Sequence, residues 1–386
     1  MTGLRRTGGT CGTGHENART AEPASGEAAQ VPSFLLPGDV DDLTVPSGGN
    51  VYGRRVCREL PARAVPVAGG WPRPDRTART ALAGALRAEP DGAVVLLDGL
   101  VACGVPDIVL PQARRLRLAV LVHLPLADET GLPTELAGRL DAAERATLRA
   151  VSAVVATSHW AARRLIEHHG LDENRVHTVE PGTDPAPPAR GTDGGSGLLC
   201  VAAVTPRKGL DLLAEALSEV TDQPWTCTCV GATRRDPGYT ERLRGLIELR
   251  GLGERMILAG PRAGSELAAC YGAADLLVLP SRAETYGMVV TEALARGVPV
   301  LATAVDGIPQ TLGTAPDGSV PGMLVPPEDA RALGVALRGW FTGTALRHRL
   351  RVAARRRRGT LRGWGVTAER LAGVLAGLRG EPGRAA

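Results

Sequence analysis

The stretch Pro280-Ser281-Arg282-Ala283-Glu284-Thr285-Tyr286-Gly287-Met288-Val289-Val290-Thr291-Glu292-Ala293-Leu294-Ala295-Arg296-Gly297-Val298-Pro299-Val300 follows an apolar run, Leu276 to Leu279, that reads as a buried strand. A short polar loop comes next. A helix is expected from about Gly287 to Arg296, with Thr285 or Tyr286 near its cap; Gly297 is a good stop and Pro299 bars continuation. Two carboxylates stand in this unit with seven residues between them, Glu284 in the loop and Glu292 about two turns into the helix. The backbone N–H groups of Gly287 and Met288 lie between them at a helix start, which favours an anion. A phosphate at the helix end with hydroxyls at the acids would suit this arrangement. Glutamate early in a helix is also favoured by the dipole alone, so the spacing by itself leaves a solvated surface pair open.

The residues on either side repeat the unit. Leu198 to Val204 reads as a strand, followed by Thr205-Pro206-Arg207-Lys208-Gly209 and a helix with Leu210, Leu213, Ala214 and Leu217 on one face. Two adjacent cations at a strand end, beside a glycine and a helix start, form an anion site or are two surface cations. Further strands are expected at Thr226–Val230, Arg255–Leu258, Val298–Ala302 and Met323–Val325. Upstream, order begins at Ser33–Pro37, followed by Pro46-Ser47-Gly48-Gly49-Asn50-Val51-Tyr52 and an amphipathic helix with Val56, Cys57 and Leu60 on one side. Gly48 and Gly49 would let backbone approach a ligand closely, or simply serve a turn. Apolar segments recur at Ala64–Val67, Ala93–Leu97, Leu116–Val122, Ala150–Ala156 and Val176–Val179, with helical stretches such as Ala78–Arg87 and Asp141–Arg149 between them. Continuously apolar strands alternating with helices indicate an α/β fold of parallel sheets covered on both faces.

Ligands of such sheets bind beyond the carboxyl ends of the strands. Asp98, His123 and Ser158 stand at such ends. The clearest break in composition is Pro181-Gly182-Thr183-Asp184 and the Pro- and Gly-rich residues up to Gly197, which reads as a hinge.

These motifs, in this order, resemble family 4 retaining glycosyltransferases of the GT-B fold. The resemblance runs from about Phe34 to Leu378 and rests on Gly48-Gly49, the Val-His-Leu-Pro context of His123, Arg207-Lys208, the E-x7-E pair and the Ala-Arg-Gly-Val-Pro-Val exit. It implies two Rossmann-like domains facing across a cleft, with a C-terminal helix crossing back. It implies sugar transfer from a nucleoside-diphosphate sugar, UDP or GDP, with anomeric retention, no cofactor and no metal. In that reading His123, Arg207, Lys208 and Glu284 are catalytic. Gly48, Gly49, Gly287, Met288 and Glu292 bind the donor, with Glu292 on the ribose hydroxyls. Asp306 and Gln310 stand where the family has Gly and Glu. The acceptor would be a small sugar or natural product. A GT-B nucleotide-sugar epimerase and a non-catalytic nucleotide-sugar-binding protein are the alternatives. The corresponding division is an N-terminal extension 1–30, expected to be disordered, an acceptor domain 31–184, a linker 185–197, a nucleotide-sugar domain 198–345 and C-terminal helices 346–386.

Composition agrees with two domains rather than one: the chain has 386 residues. With 44% hydrophobic but 3% aromatic residues, the cores must be built from Leu, Val and Ala. A net charge of +4 is too weak to argue for nucleic acid. The dense run Arg355-Arg356-Arg357-Arg358 reads first as a solvated helix face, with contact to a phosphate or to an anionic membrane surface as the minor reading. The 7 cysteines lack a C-x-x-C pair, so neither zinc nor disulfides are expected, and a cytoplasmic setting is. No apolar run is long enough to span a membrane.

Overall fold

Strands that are apolar along their whole length need cover on both faces, and these have it. In a computed structural model that describes residues 31–42, 47–129, 131–192 and 194–380, the first sheet holds β1 (Ser33–Pro37), β2 (Arg63–Val67), β3 (Val94–Asp98), β4 (Arg117–Val122), β5 (Ala153–Ala156) and β6 (Val176–Thr178). The second holds β7 (Gly197–Val201), β8 (Thr226–Val230), β9 (Met256–Gly260), β10 (Leu276–Leu279), β11 (Val300–Thr303) and β12 (Gly322–Val325). The expected extension 1–30 lies outside the described residues. Every described strand pair is parallel. β1, β3, β10 and β11 are buried throughout. β2 is a largely exposed edge strand and carries Pro66, which an edge tolerates because the missing N–H faces no partner.

The strand orders are β2-β1-β3-β4-β5-β6 and β12-β11-β10-β7-β8-β9. In the first, the chain reverses direction between β1 and β3; in the second, between β7 and β10. Such switch points open a crevice at the strands' carboxyl ends. The glycines follow β1, Asp98 ends β3, Arg207-Lys208 follow β7 and Glu284 follows β10. The topology therefore gathers residues far apart in sequence at two crevices.

The helices used below are α1 (Gly48–Glu59), α2 (His159–His169), α3 (Leu210–Ser218), α4 (Met288–Leu294), α5 (Ile308–Leu312), α6 (Thr344–Arg358) and α7 (Trp364–Gly380). Gly48 and Gly49 open α1 rather than forming a loop before it. Ser47 caps this helix, its Oγ accepting from the Asn50 N–H at 3.0 Å. Ser47→Ala should cost about 1 kcal/mol of stability, as lost caps do, and a smaller loss in urea unfolding would deny the cap that weight.

α7 returns to the first sheet. Trp364, Leu371, Leu375 and Leu378 share one buried cluster with Phe34, Tyr52, Leu96 and Leu121. Trp364 stands edge-on to Tyr52 with ring centres 5.7 Å apart. Three successive carbonyls leading into the hinge are each held by a hydroxyl from a different element. Tyr52 donates to Val179 at 3.1 Å, Thr367 to Glu180 at 2.9 Å, and Tyr286 to Pro181 at 3.3 Å. The hinge is thus tied to α1, to α7 and to the loop after β10.

The arginine run on α6 is only in part the solvated face expected of it: Arg355 and Arg356 are exposed, while Arg357 and Arg358 are half-buried. Arg358 donates to the carbonyls of Ala295 and Ala186, Arg357 to that of Leu312, and Arg356 pairs with Asp317. The physical reason is local: Ala295 and Leu312 end α4 and α5, where helix carbonyls lack intrahelical donors. No helix among the described residues is long and apolar enough to cross a membrane.

Candidate functional site

Gly209 is in the left-handed region at φ +65°, and a Cβ on it would lie 2.1 Å from the Pro280 carbonyl oxygen. The turn after β7 and the loop after β10 can approach this closely only with glycine there. That approach sets Lys208 against Glu284, and the ammonium Nζ is hydrogen-bonded to the carboxylate Oε2. Both side chains are mostly buried, 15% and 12% exposed, so the pair is little screened by water. Burial alone would raise Glu284, but the charges of Lys208 and Arg207 outweigh it and hold the carboxyl below its usual range. Burial lowers Lys208, and Arg207 adds to that, while Glu284 opposes both.

Arg207 crosses to the first half of the chain. Its Nε lies 3.2 Å from Glu129 Oε1, and its Nη1 donates to the Ala283 carbonyl at 3.0 Å. Arg235, on the loop after β8, is close enough to Arg207, Glu129 and Asp39 to feel their charges. Arg235 thus adds a third positive charge in the neighbourhood of Arg207 and Lys208. Sequence reasoning does not single out Arg235, although it follows a strand of the same sheet as Arg207-Lys208 do.

His123 faces them from the end of β4. Its Nε2 is 3.2 Å from Asp98 Oδ2 but makes no well-aligned hydrogen bond. The ring meets Tyr52 edge-on at 5.3 Å. A Cβ on Gly49 would come within 3.1 Å of the imidazole, so the Gly48-Gly49 start lets α1 lie directly against it. A Cβ on Gly48 would stand 3.7 Å from Met288 Sδ, which places the start of α1 beside the start of α4. Thr285 Oγ1 donates to the His123 carbonyl at 2.7 Å. The two crevices thus face each other, and His123, Arg207, Lys208, Glu284, Gly48, Gly49 and Met288 surround one cleft.

The segment quoted first folds more tightly than its pattern predicts. α4 has 7 residues, Met288–Leu294, and its cap is Gly287 at φ +80°, with no side-chain cap. Neither Thr285 nor Tyr286 serves as a cap, because their hydroxyls are spent on His123 and Pro181. Glu292 consequently lies little more than one turn into the helix, not two. Its Oε2 accepts from the Tyr271 hydroxyl at 2.7 Å. Burial pushes Glu292 up, against the Tyr271 hydroxyl and the Arg296 guanidinium, which stacks on the Tyr271 ring at 4.6 Å. Tyr271 carries no signal in its own sequence neighbourhood and is found only through its contact.

Asp306 adopts φ +47°, a conformation natural to the glycine it replaces. Its carboxylate accepts from the Glu284 N–H at 2.7 Å, so the substitution adds a strut under Glu284. Gln310 lies exposed on α5.

The chain matches two family profiles in succession, Glycosyltransferase Family 4 over residues 39–187 and Glycosyl transferases group 1 over residues 192–357. The D-inositol 3-phosphate glycosyltransferase 1 of Catenulispora acidiphila is 32% identical over 335 residues, covering 78% of this chain and 77% of that one. The D-inositol 3-phosphate glycosyltransferase of Kineococcus radiotolerans is 33% identical over 276 residues, 65% of this chain and 62% of its own length. Among solved structures, sucrose-phosphate synthase from Thermosynechococcus elongatus superposes with a TM-score of 0.73 at 22% identity, covering 90% of this chain and 99% of that one. Anabaena HepE in complex with UDP and glucose superposes with a TM-score of 0.72 at 17% identity, covering 89% and 99%. At these identities the superpositions speak for the fold.

Proposed function

The chain belongs to glycosyltransferase family 4 and is a GT-B glycosyltransferase; from that premise we propose that it moves a sugar from a nucleoside-diphosphate sugar to a hydroxyl of a small acceptor, with retention. The observation that carries this reading is the Lys208–Glu284 pair at a switch point, with Arg207 beside it and His123 facing it. Arg207 and Lys208 stabilise the charge that grows on the diphosphate as the anomeric C–O bond breaks. Arg235 adds a third positive charge in their neighbourhood. Because these side chains neutralise the leaving group, the proposal uses no metal ion and no cofactor.

Glu284 takes donor-sugar hydroxyls once the diphosphate draws Lys208 towards itself. Glu292 takes the ribose hydroxyls, with Tyr271 orienting it. The N–H groups of Gly287 and Met288 and the Gly48-Gly49 start of α1 approach the diphosphate. His123 contacts the sugar. The acceptor oxygen attacks on the face that the leaving group vacates, and its proton passes to a diphosphate oxygen, so no side chain acts as base. The first sheet with its loops forms the acceptor domain, roughly 31–184, and residues 198–345 the donor domain. The name of the sequence relatives supports a phosphorylated polyol as acceptor, and the UDP in the HepE structure supports a uridine donor. The free cysteines among the described residues support a reducing, cytoplasmic setting.

A thermal-shift panel of UDP-, GDP-, ADP- and dTDP-sugars tests the donor. A UDP-sugar should give the largest stabilisation, and no response to any of the four would overturn the reading. NMR of the product's anomeric proton should report retention; inversion would remove the stereochemical part of the proposal.

A further inference from the structure

A cavity of about 280 Å³ lies where the hinge, α5, the end of α6 and the start of α7 meet. His159, Glu180, Thr311, Arg357, Arg362 and Arg370 carry its polar character. None of Arg207, Lys208, Glu284 or Glu292 lines it, so it is separate from the cleft.

Its chemistry is one-sided. The three arginines form no ion pair among the described residues, and Glu180 is the single carboxylate in the lining. Thr311 is 5% exposed and its Oγ1 is buried without a hydrogen-bond partner. A buried hydroxyl without a partner is uncommon in folded proteins, because nothing repays its lost hydration. Thr311 lines the same small space as the three arginines, with its hydroxyl buried behind the wall. Cationic forks around one small space are matched by a tetrahedral oxyanion, which can accept from several at once. The volume is at the low end for ligand sites, which excludes a whole nucleotide-sugar.

We propose that this cavity is a second binding site, for a phosphate group carried as the free ion or as a small phosphate monoester. Arg357, its Nε on the Leu312 carbonyl and its Nη1 on the Thr360 hydroxyl, gives its remaining Nη2 to the inner oxygens, and Arg362 and Arg370 close over the outer ones. The occupant touches the second half of the chain through Arg357, and the hinge through its neighbours Pro181 and Thr183. It therefore adds a fourth tie to the three hydroxyls that already hold the hinge carbonyls. The assignment does not depend on the reaction proposed above.

Isothermal titration of the full chain with inorganic phosphate at low salt, with saturating UDP present so that the cleft cations are already engaged, tests it. Arg362 and Arg370 are exposed, and their side chains make no hydrogen bond among the described residues, so the double variant Arg362→Gln/Arg370→Gln should fold normally. Wild type should bind saturably, and the double variant at least about tenfold more weakly, the scale expected for two charge-assisted contacts. Arg207→Ala, which alters only the cleft, should retain the binding. Phosphate should also raise the melting temperature of wild type and leave that of the double variant unmoved. Glycerol 3-phosphate in place of inorganic phosphate separates the two forms of the ligand, because tighter binding of the ester marks it as the intended occupant. Binding that survives in the double variant, that disappears in Arg207→Ala, or that is absent from wild type for both probes would overturn the proposal.

Discussion

Lys208→Ala should lower turnover by about 10²-fold or more, the scale seen when a group aimed at developing charge is removed. The loss should fall on kcat more than on donor KM, because the leaving diphosphate gains its full charge only as the bond breaks. Near-wild-type turnover would remove Lys208 from the diphosphate. The same substitution also strips Glu284 of its partner. A mostly buried carboxylate left alone destabilises a fold by about 3–5 kcal/mol unless it takes up a proton.

The pH dependence distinguishes the two effects. In wild type, Glu284 is held below its ordinary range, so its contribution to stability is present above the unfolded carboxyl's pKa and is lost as pH falls through the folded value. In the variant Arg207 still opposes burial but Lys208 does not, so the loss of stability as pH falls should be smaller than in wild type. Lys208→Ala/Glu284→Gln should recover stability at neutral pH without recovering turnover. If the double variant regains activity, the role of Lys208 is structural only.

Glu292→Ala should weaken donor binding by about 10- to 100-fold, from the loss of hydrogen bonds to a charged acceptor. Turnover at saturating donor should change much less, since ribose contacts are made equally in ground and transition states. Titration with the nucleoside diphosphate alone reads the effect without catalysis. An unchanged affinity would argue against a ribose contact. Glu292→Gln separates charge from geometry. Burial already pushes the Glu292 carboxyl up, so the wild-type group carries a desolvation cost at neutral pH that the amide does not. The Gln variant should therefore melt higher than wild type while binding donor less well. The Tyr271 hydroxyl keeps an acceptor in the Gln variant and loses it in the Ala variant, so the Ala variant should be the less stable of the two.

Much of the fold was legible because parallel strands buried on both faces leave long apolar runs, and the runs at Val94–Leu97, Leu118–Val122 and Leu276–Leu279 needed no other signal. The residues around the cleft were legible where a family motif marks them, as at His123, Lys208 and Glu284. What stayed hidden were partners that only folding brings close. Tyr271 meets Glu292 from another helix, Arg235 comes within range of the Arg207 charge from another strand end, and Thr285 meets His123 across the cleft. The inner half of the basic run on α6, Arg357 and Arg358, was hidden for the same reason. Its charges looked solvated because the carbonyls they hold, at Ala295, Leu312 and Ala186, are distant in sequence.

The docking of α7 on the first sheet has a consequence for biosynthesis. The ribosome emits residues 33–178 long before Leu371, Leu375 and Leu378, yet the cluster around Phe34 and Tyr52 is incomplete without them. At ordinary elongation rates that wait lasts roughly ten seconds or more. Throughout it the nascent chain carries an uncovered apolar strip, the kind of surface that chaperones engage and that aggregates when they do not. Maturation of the N-terminal half is thereby made to depend on the last helix to be translated, and a message truncated before α7 would yield a protein lacking its own seal.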